Sequence, residues 1–191
     1  MSELFGIIFS TALVNNLVLT YLVGLDLQVA ASQRMNTAWL VGIATIYCLA
    51  LCLPGVYLLD QLIIIPFSLQ FIDLLFYVML IIVIVYGTQN LIYRLLPGIY
   101  QHVDSLVPLL LVNSIILAVI LLSQGQNHSF FGALIYGVCT GIGFLFLLLI
   151  LTCLRERIDN KNVPAPFRGL SLLLITLGIF AMGLMGLAGL Q

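Results

Sequence analysis

Apolar residues fill this chain in long blocks, and short polar stretches separate them. Six blocks stand out, at about 4–25, 37–59, 71–93, 105–122, 130–154 and 169–190. A helix rises about 1.5 Å per residue, so roughly 20 apolar residues cross about 30 Å of hydrocarbon. The pattern therefore predicts an all-α integral membrane protein with six transmembrane helices. Barrel strands would be shorter and would alternate, and no such segments occur.

The polar and helix-breaking positions set the expected boundaries. The first block continues weakly through Val29-Ala30-Ala31 before the polar residues from Ser32 end it. Pro54-Gly55 predicts a kink or exit in the second, because proline lacks a backbone donor and clashes with the preceding turn. Asp60-Gln61 and Pro66 mark the turn that follows, and Pro97-Gly98 breaks the chain after the third block. Asp104 is placed to cap the fourth helix, which carries Pro108 before Asn113-Ser114. Gly137, Gly141 and Gly143 in the fifth block predict close approach of a neighbouring helix. Gly178, Gly183, Gly186 and Gly189 in the sixth predict the same.

Composition agrees with a lipid solvent. Of 191 residues, 63% are hydrophobic and only 7% charged, and the mean hydropathy is +1.25. A water-soluble domain of this size would carry far more charge on its surface. The net charge of −1 and the lack of a basic run exclude an electrostatic footprint for nucleic acid. Glu3 near the start, with no basic residue beside it, makes the N-terminus the beginning of the first span rather than a cleavable signal.

Charge placement then orients the chain. Arg34 lies in the first connection, Arg94 in the third, and Arg155, Arg157, Lys161 and Arg168 in the fifth. The termini and the second and fourth connections hold no lysine or arginine. All basic residues thus fall on one side, expected to be cytoplasmic, with both termini on the other.

Two halves follow, about 1–98 and 99–191, within one membrane domain. Each holds three spans, so the second is expected to be inverted relative to the first. Leu13–Asn16 in the first span, LVNN, aligns with Leu111–Ser114 in the fourth, LVNS. Asn15, Asn16 and Asn113 are the asparagines deep within spans, and they would meet near the bilayer midplane. Inverted repeats with interrupted helices and a central site recur among transport proteins.

An amide in hydrocarbon needs partners. Asn15, Asn16, Asn113 and Ser114 either join spans one and four by hydrogen bonds, or cap broken half-helices around a buried cofactor or pathway. Asp26 is an acidic residue with apolar sequence on both sides, which makes it a candidate ion contact. On an unbroken helix it would lie about 15 Å beyond Asn16, near the cytoplasmic interface. It can share a site with Ser114 only if the first span unwinds before it.

Other chemistry is sparse. Cys48, Cys52, Cys139 and Cys153 read as small packing residues. Cys48 and Cys52 share one helix face but lack companions at metal-ligand spacing. His102 and His128 fall in connections on opposite sides. No phosphate loop or nucleophile elbow is present, so no complete enzyme is expected.

Several stretches resemble a known family. They are LVNNLVLTYLVGL at Leu13–Leu25, VPLLLVNS at Val107–Ser114 and ALIYGVCTGIGF at Ala133–Phe144, with RERIDNKNVPAPFRG at Arg155–Gly169 and LITLGIFAMGLMGLAGL at Leu174–Leu190. Together they resemble the NqrDE/RnfAE membrane proteins, nearest to the RnfA (RsxA) branch found in Rnf electron-transport complexes. The resemblance implies a non-autonomous subunit of a bacterial inner-membrane complex. Such complexes couple ferredoxin/NAD(H) redox chemistry to Na+ or H+ translocation. It further implies an oppositely oriented homologous partner and an intramembrane iron–sulfur centre shared with it. In the family one cysteine follows the Leu-Gly-Leu of the first span, and another follows the asparagine of the fourth. Asp26 and Ser114 stand at those two places. Clusters are normally held by thiolates, so the resemblance carries fold and topology to this chain but not the cluster. The alternatives are a divergent cluster-free transporter or channel, and a structural assembly subunit.

Overall fold

The computed structural model describes residues 23–32, 35–67, 70–95, 113–124, 129–157, 164 and 167–188. Among these there are six α-helices and no strand. They are α1 (Leu25–Ala31), α2 (Met35–Leu59), α3 (Asp73–Leu95), α4 (Ser114–Gln124), α5 (Phe130–Arg157) and α6 (Leu170–Ala188). By length and composition, three described stretches can cross a membrane: Met35–Ile64, Asp73–Asn90 and Phe130–Arg157. Asn15, Asn16, Asp104, Pro108 and Gly189 lie outside the described residues.

The centre of the bundle is the pair α2–α5. Their register is antiparallel: Gly42 meets Leu145, Gly141 meets Ile46, and Gly137 meets Leu49 and Leu53. A β-carbon on Gly137 would lie 2.8 Å from the Leu49 carbonyl oxygen. One on Gly141 would lie 2.9 Å from the Ile46 α-carbon. Backbone meets backbone there, which is why small residues are required. Lipid tails are as apolar as leucine, so packing of this kind, not exclusion of water, holds the pair.

The other helices arrange themselves on that pair. α1 touches both α2 and α5, α4 packs on α2, α3 and α5, and α6 lies against α5. On α3 the inward stripe is Tyr77, Ile81, Val85 and Thr88, at helical spacing, while Leu75, Met79 and Val83 are exposed. On α6 Leu173 and Leu177 are buried, and Leu170, Ile179 and Met182 face out. A water-soluble surface would not carry so many outward apolar side chains.

Buried threonines are satisfied within their own helices. Thr45, Thr88, Thr140 and Thr152 each donate to the carbonyl four residues earlier, at 2.7–2.8 Å. That local bond lets a hydroxyl sit in an apolar core at little cost.

Several sequence expectations need correction. α2 runs through Pro54 without exiting and continues as a π-helical stretch at Asp60–Ile64. Asp60 and Gln61 therefore belong to the helix, and the turn comes at Ile65–Phe67. Continuous apolar sequence on both sides of Pro54 keeps the segment helical. Gly178, Gly183 and Gly186 have nothing within 4 Å of a built β-carbon. They do not mediate close packing among the described residues, because α6 meets the bundle only through its other face.

Candidate functional site

Two helix starts meet beside the central pair. The chain turns at Val23–Gly24, and Gly24 has φ +80°, a left-handed conformation in which a β-carbon is strained. A side chain there would also face the Ile115 β-carbon at 3.1 Å. α1 begins at the next residue, so Asp26 sits in its first turn. A carboxylate is favoured at that end by the unpaired N–H groups.

The second start is built by Asn113 and Ser114. Asn113 is buried, and its Oδ1 accepts from the Ile115 N–H at 3.2 Å, which caps α4. Its Nδ2 donates to the Thr45 hydroxyl at 3.5 Å, a weak bond that nonetheless ties this start to α2.

Between the starts lies Ser114. Its hydroxyl donates to Asp26 Oδ1 at 2.9 Å and accepts from the Gly24 N–H at 3.0 Å. Residues 88 apart in sequence are thereby joined. Both side chains are exposed on this chain. Their depth follows from Gly24, whose built β-carbon lies 3.5 Å from the Phe144 ring. Phe144 falls at the middle of α5, about 20 Å from either end at 1.5 Å per residue. Asp26 is therefore near the midpoint of α5 rather than near its end. The expectation of an interfacial aspartate assumed an unbroken helix; the turn at Gly24 removes that assumption.

Sequence reasoning missed Gly24, Thr45 and Gln28. Gly24 sits beside the Leu25-Asp26 motif, so its neighbours were a usable signal. Thr45 carries none, since a threonine in an apolar helix is commonplace. Gln28 is fully buried, and neither side-chain polar atom has a partner among the described residues. A glutamine inside an apolar run was the available signal for it.

Two further polar groupings tie the ends of the bundle. Arg155 donates to the Val29 carbonyl at 3.2 Å and to the Ser32 hydroxyl at 3.0 Å, joining the end of α5 to the end of α1. At the opposite end of α2, Tyr77 donates to Asp60 Oδ1 at 2.7 Å, and Gln124 donates to the Tyr77 hydroxyl.

The donor set at the junction does not fit an iron–sulfur centre. Both groups present oxygen, and the serine proton is already committed to the carboxylate. Loss of that proton would place two anionic oxygens side by side. Cys48 and Cys52 lie in the buried core of α2, Cys139 is buried on α5, and Cys153 is exposed. Among the described residues no three His, Cys, Asp or Glu side chains group to hold a metal.

The whole chain has relatives. A family model described as an Rnf-Nqr subunit, membrane protein, matches residues 4–191. A protein of Vibrio vulnificus, named as the A component of an ion-translocating oxidoreductase complex, is 33% identical over 190 residues, covering 100% of this chain and 99% of its own length. A protein of the same name from Vibrio cholerae is also 33% identical, over 100% and 98%. One from Erwinia tasmaniensis is 35% identical, again over 100% and 98%.

Proposed function

This chain belongs to the Rnf-Nqr family of membrane subunits, and from that premise we propose that it is an integral subunit of an ion-translocating electron-transport complex of the Rnf type. The observation that carries the reading is likeness over essentially the full length to relatives named for such a complex. The chain is membrane-embedded, as its long apolar helices require. It works as a non-autonomous part of the complex, which couples ferredoxin/NAD(H) redox chemistry to movement of Na+ or H+.

Its architecture in this reading is six spans in two inverted halves, about 1–98 and 99–191. It sits in the bacterial inner membrane with both termini periplasmic. The Arg155 bonds support this, because they draw the first and fifth connections to one side. The Asp60–Tyr77–Gln124 grouping supports it from the other side, joining the starts of the second and fourth connections. An oppositely oriented homologous subunit is the expected neighbour. Asp26, Ser114 and Asn113, with Asn15 and Asn16, form the proposed intramembrane polar site, where Asp26 is the candidate ion contact.

Four experiments test this. Affinity purification of the full chain from native membranes should bring down flavin- and iron-containing subunits, and its deletion should abolish redox-driven ion uptake by inverted vesicles. Ion flux through the reconstituted chain alone, without redox substrate, would instead establish the transporter reading. Impermeant reagents should label a cysteine added at either terminus from the periplasmic side only.

A further inference from the structure

We propose that the Asp26–Ser114 pair is a redox-silent latch, an oxygen-based hydrogen-bonded joint standing where the family resemblance places cysteine ligands. The proposal rests on the subunit reading above for its context, and on the junction geometry for its content.

The two positions come together, as a shared ligand site would require. What they offer when they meet is different. Ser114 Oγ spends its proton on Asp26 Oδ1 and accepts from the Gly24 N–H, so two of its bonding directions are filled. Asp26 lies in the first turn of α1 and accepts that hydrogen bond. The group is thus internally matched, donor to acceptor at each bond. A thiolate pair would be anionic and unmatched until a metal arrived. Here hydrogen bonds perform the mechanical work that metal bonds would do, pinning the start of α1 to the start of α4. The left-handed turn at Gly24 supports this role, since it aims the Gly24 N–H at Ser114. This chain then donates no ligand to an iron centre. Electrons that cross its complex do so on other subunits' cofactors.

The test uses the purified complex and two readouts. Iron and acid-labile sulfide per complex should be the same in wild type and in Asp26→Asn, a variant that keeps an oxygen acceptor for Ser114. A fall of about two irons in Asp26→Asn would overturn the proposal by making Asp26 a ligand. Hydrogen exchange at the Gly24 amide should rise on the order of tenfold in Ser114→Ala and stay near wild type in Ser114→Thr, which keeps the hydroxyl. Unchanged exchange in Ser114→Ala would overturn the latch. Should no iron-bearing subunit copurify, the subunit reading fails, while the exchange measurement on the full chain still decides the latch.

Discussion

The α2–α5 seam and the Gly24–Ser114 junction lie side by side and are held by opposite means. The seam is a close backbone contact, with glycines admitting a neighbour's backbone to within the reach of a single β-carbon. The junction is polar, with a hydroxyl, a carboxylate and a backbone N–H satisfying one another. In lipid neither gains from hiding apolar surface, so each must rely on direct contact. Packing holds the seam along its whole length, whereas the junction depends on a few bonds at one depth. Damage should therefore be severe and steric in the first, moderate and chemical in the second.

The largest effect should come from Gly137→Val. Its new β-carbon meets the Leu49 carbonyl, which belongs to a helix backbone and cannot swing away. A loss of about 3 kcal/mol is expected, read as a fall in the thermal midpoint of the detergent-solubilised protein. Gly178→Ala is the matched control in open space on α6, and should move that midpoint little. Equal damage from both would show that the seam owes nothing to close backbone approach.

Ser114→Ala comes next, at about 2 kcal/mol, because it leaves the Gly24 N–H and one oxygen of Asp26 without their partner. Chemical or thermal unfolding of the variant measures it. A cost below the noise would reduce the junction to a coincidence of two helix starts.

Gln28 sharpens the comparison from a third direction. It is as buried as the seam yet carries an amide as polar as the junction, with no partner for either atom among the described residues. Gln28→Leu should raise stability by about 1 kcal/mol, since an unpaired buried amide is replaced by an apolar side chain of similar size. If the variant is more stable but loses coupled ion transport, the amide is retained for function at the expense of stability.

The smallest effect is expected for Tyr77→Phe, which deletes one hydroxyl from the Asp60–Tyr77–Gln124 grouping. About 1 kcal/mol or less should be lost. A loss exceeding that of Ser114→Ala would make this end of the bundle, not the junction, its main polar anchor.

Much of this was legible in the sequence for a simple reason. Lipid demands long uninterrupted apolar helices, and that demand is written residue by residue. The starts of α3, α5 and α6 fall within about two residues of the apolar blocks. Gly137 and Gly141 were recognisable as contact points from their spacing alone. Their counterparts Gly178, Gly183 and Gly186 had the same appearance and no neighbour among the described residues, because glycine marks where approach is possible, not where a helix exists to approach. Pro54 does not end its helix for a related reason, since continuous apolar context outweighs one missing N–H.

Hydropathy by itself determined that this chain lives in lipid and where α3, α5 and α6 begin, and its motifs determined its family. These are local properties, which each segment carries wherever it packs. Tertiary structure alone decided that Asp26 lies beside the middle of α5 and bonds to Ser114, 88 residues away. That outcome turns on one left-handed glycine and one helix crossing, and neither the sign of φ at Gly24 nor the partner of Ser114 is encoded in any pattern of apolar and polar positions.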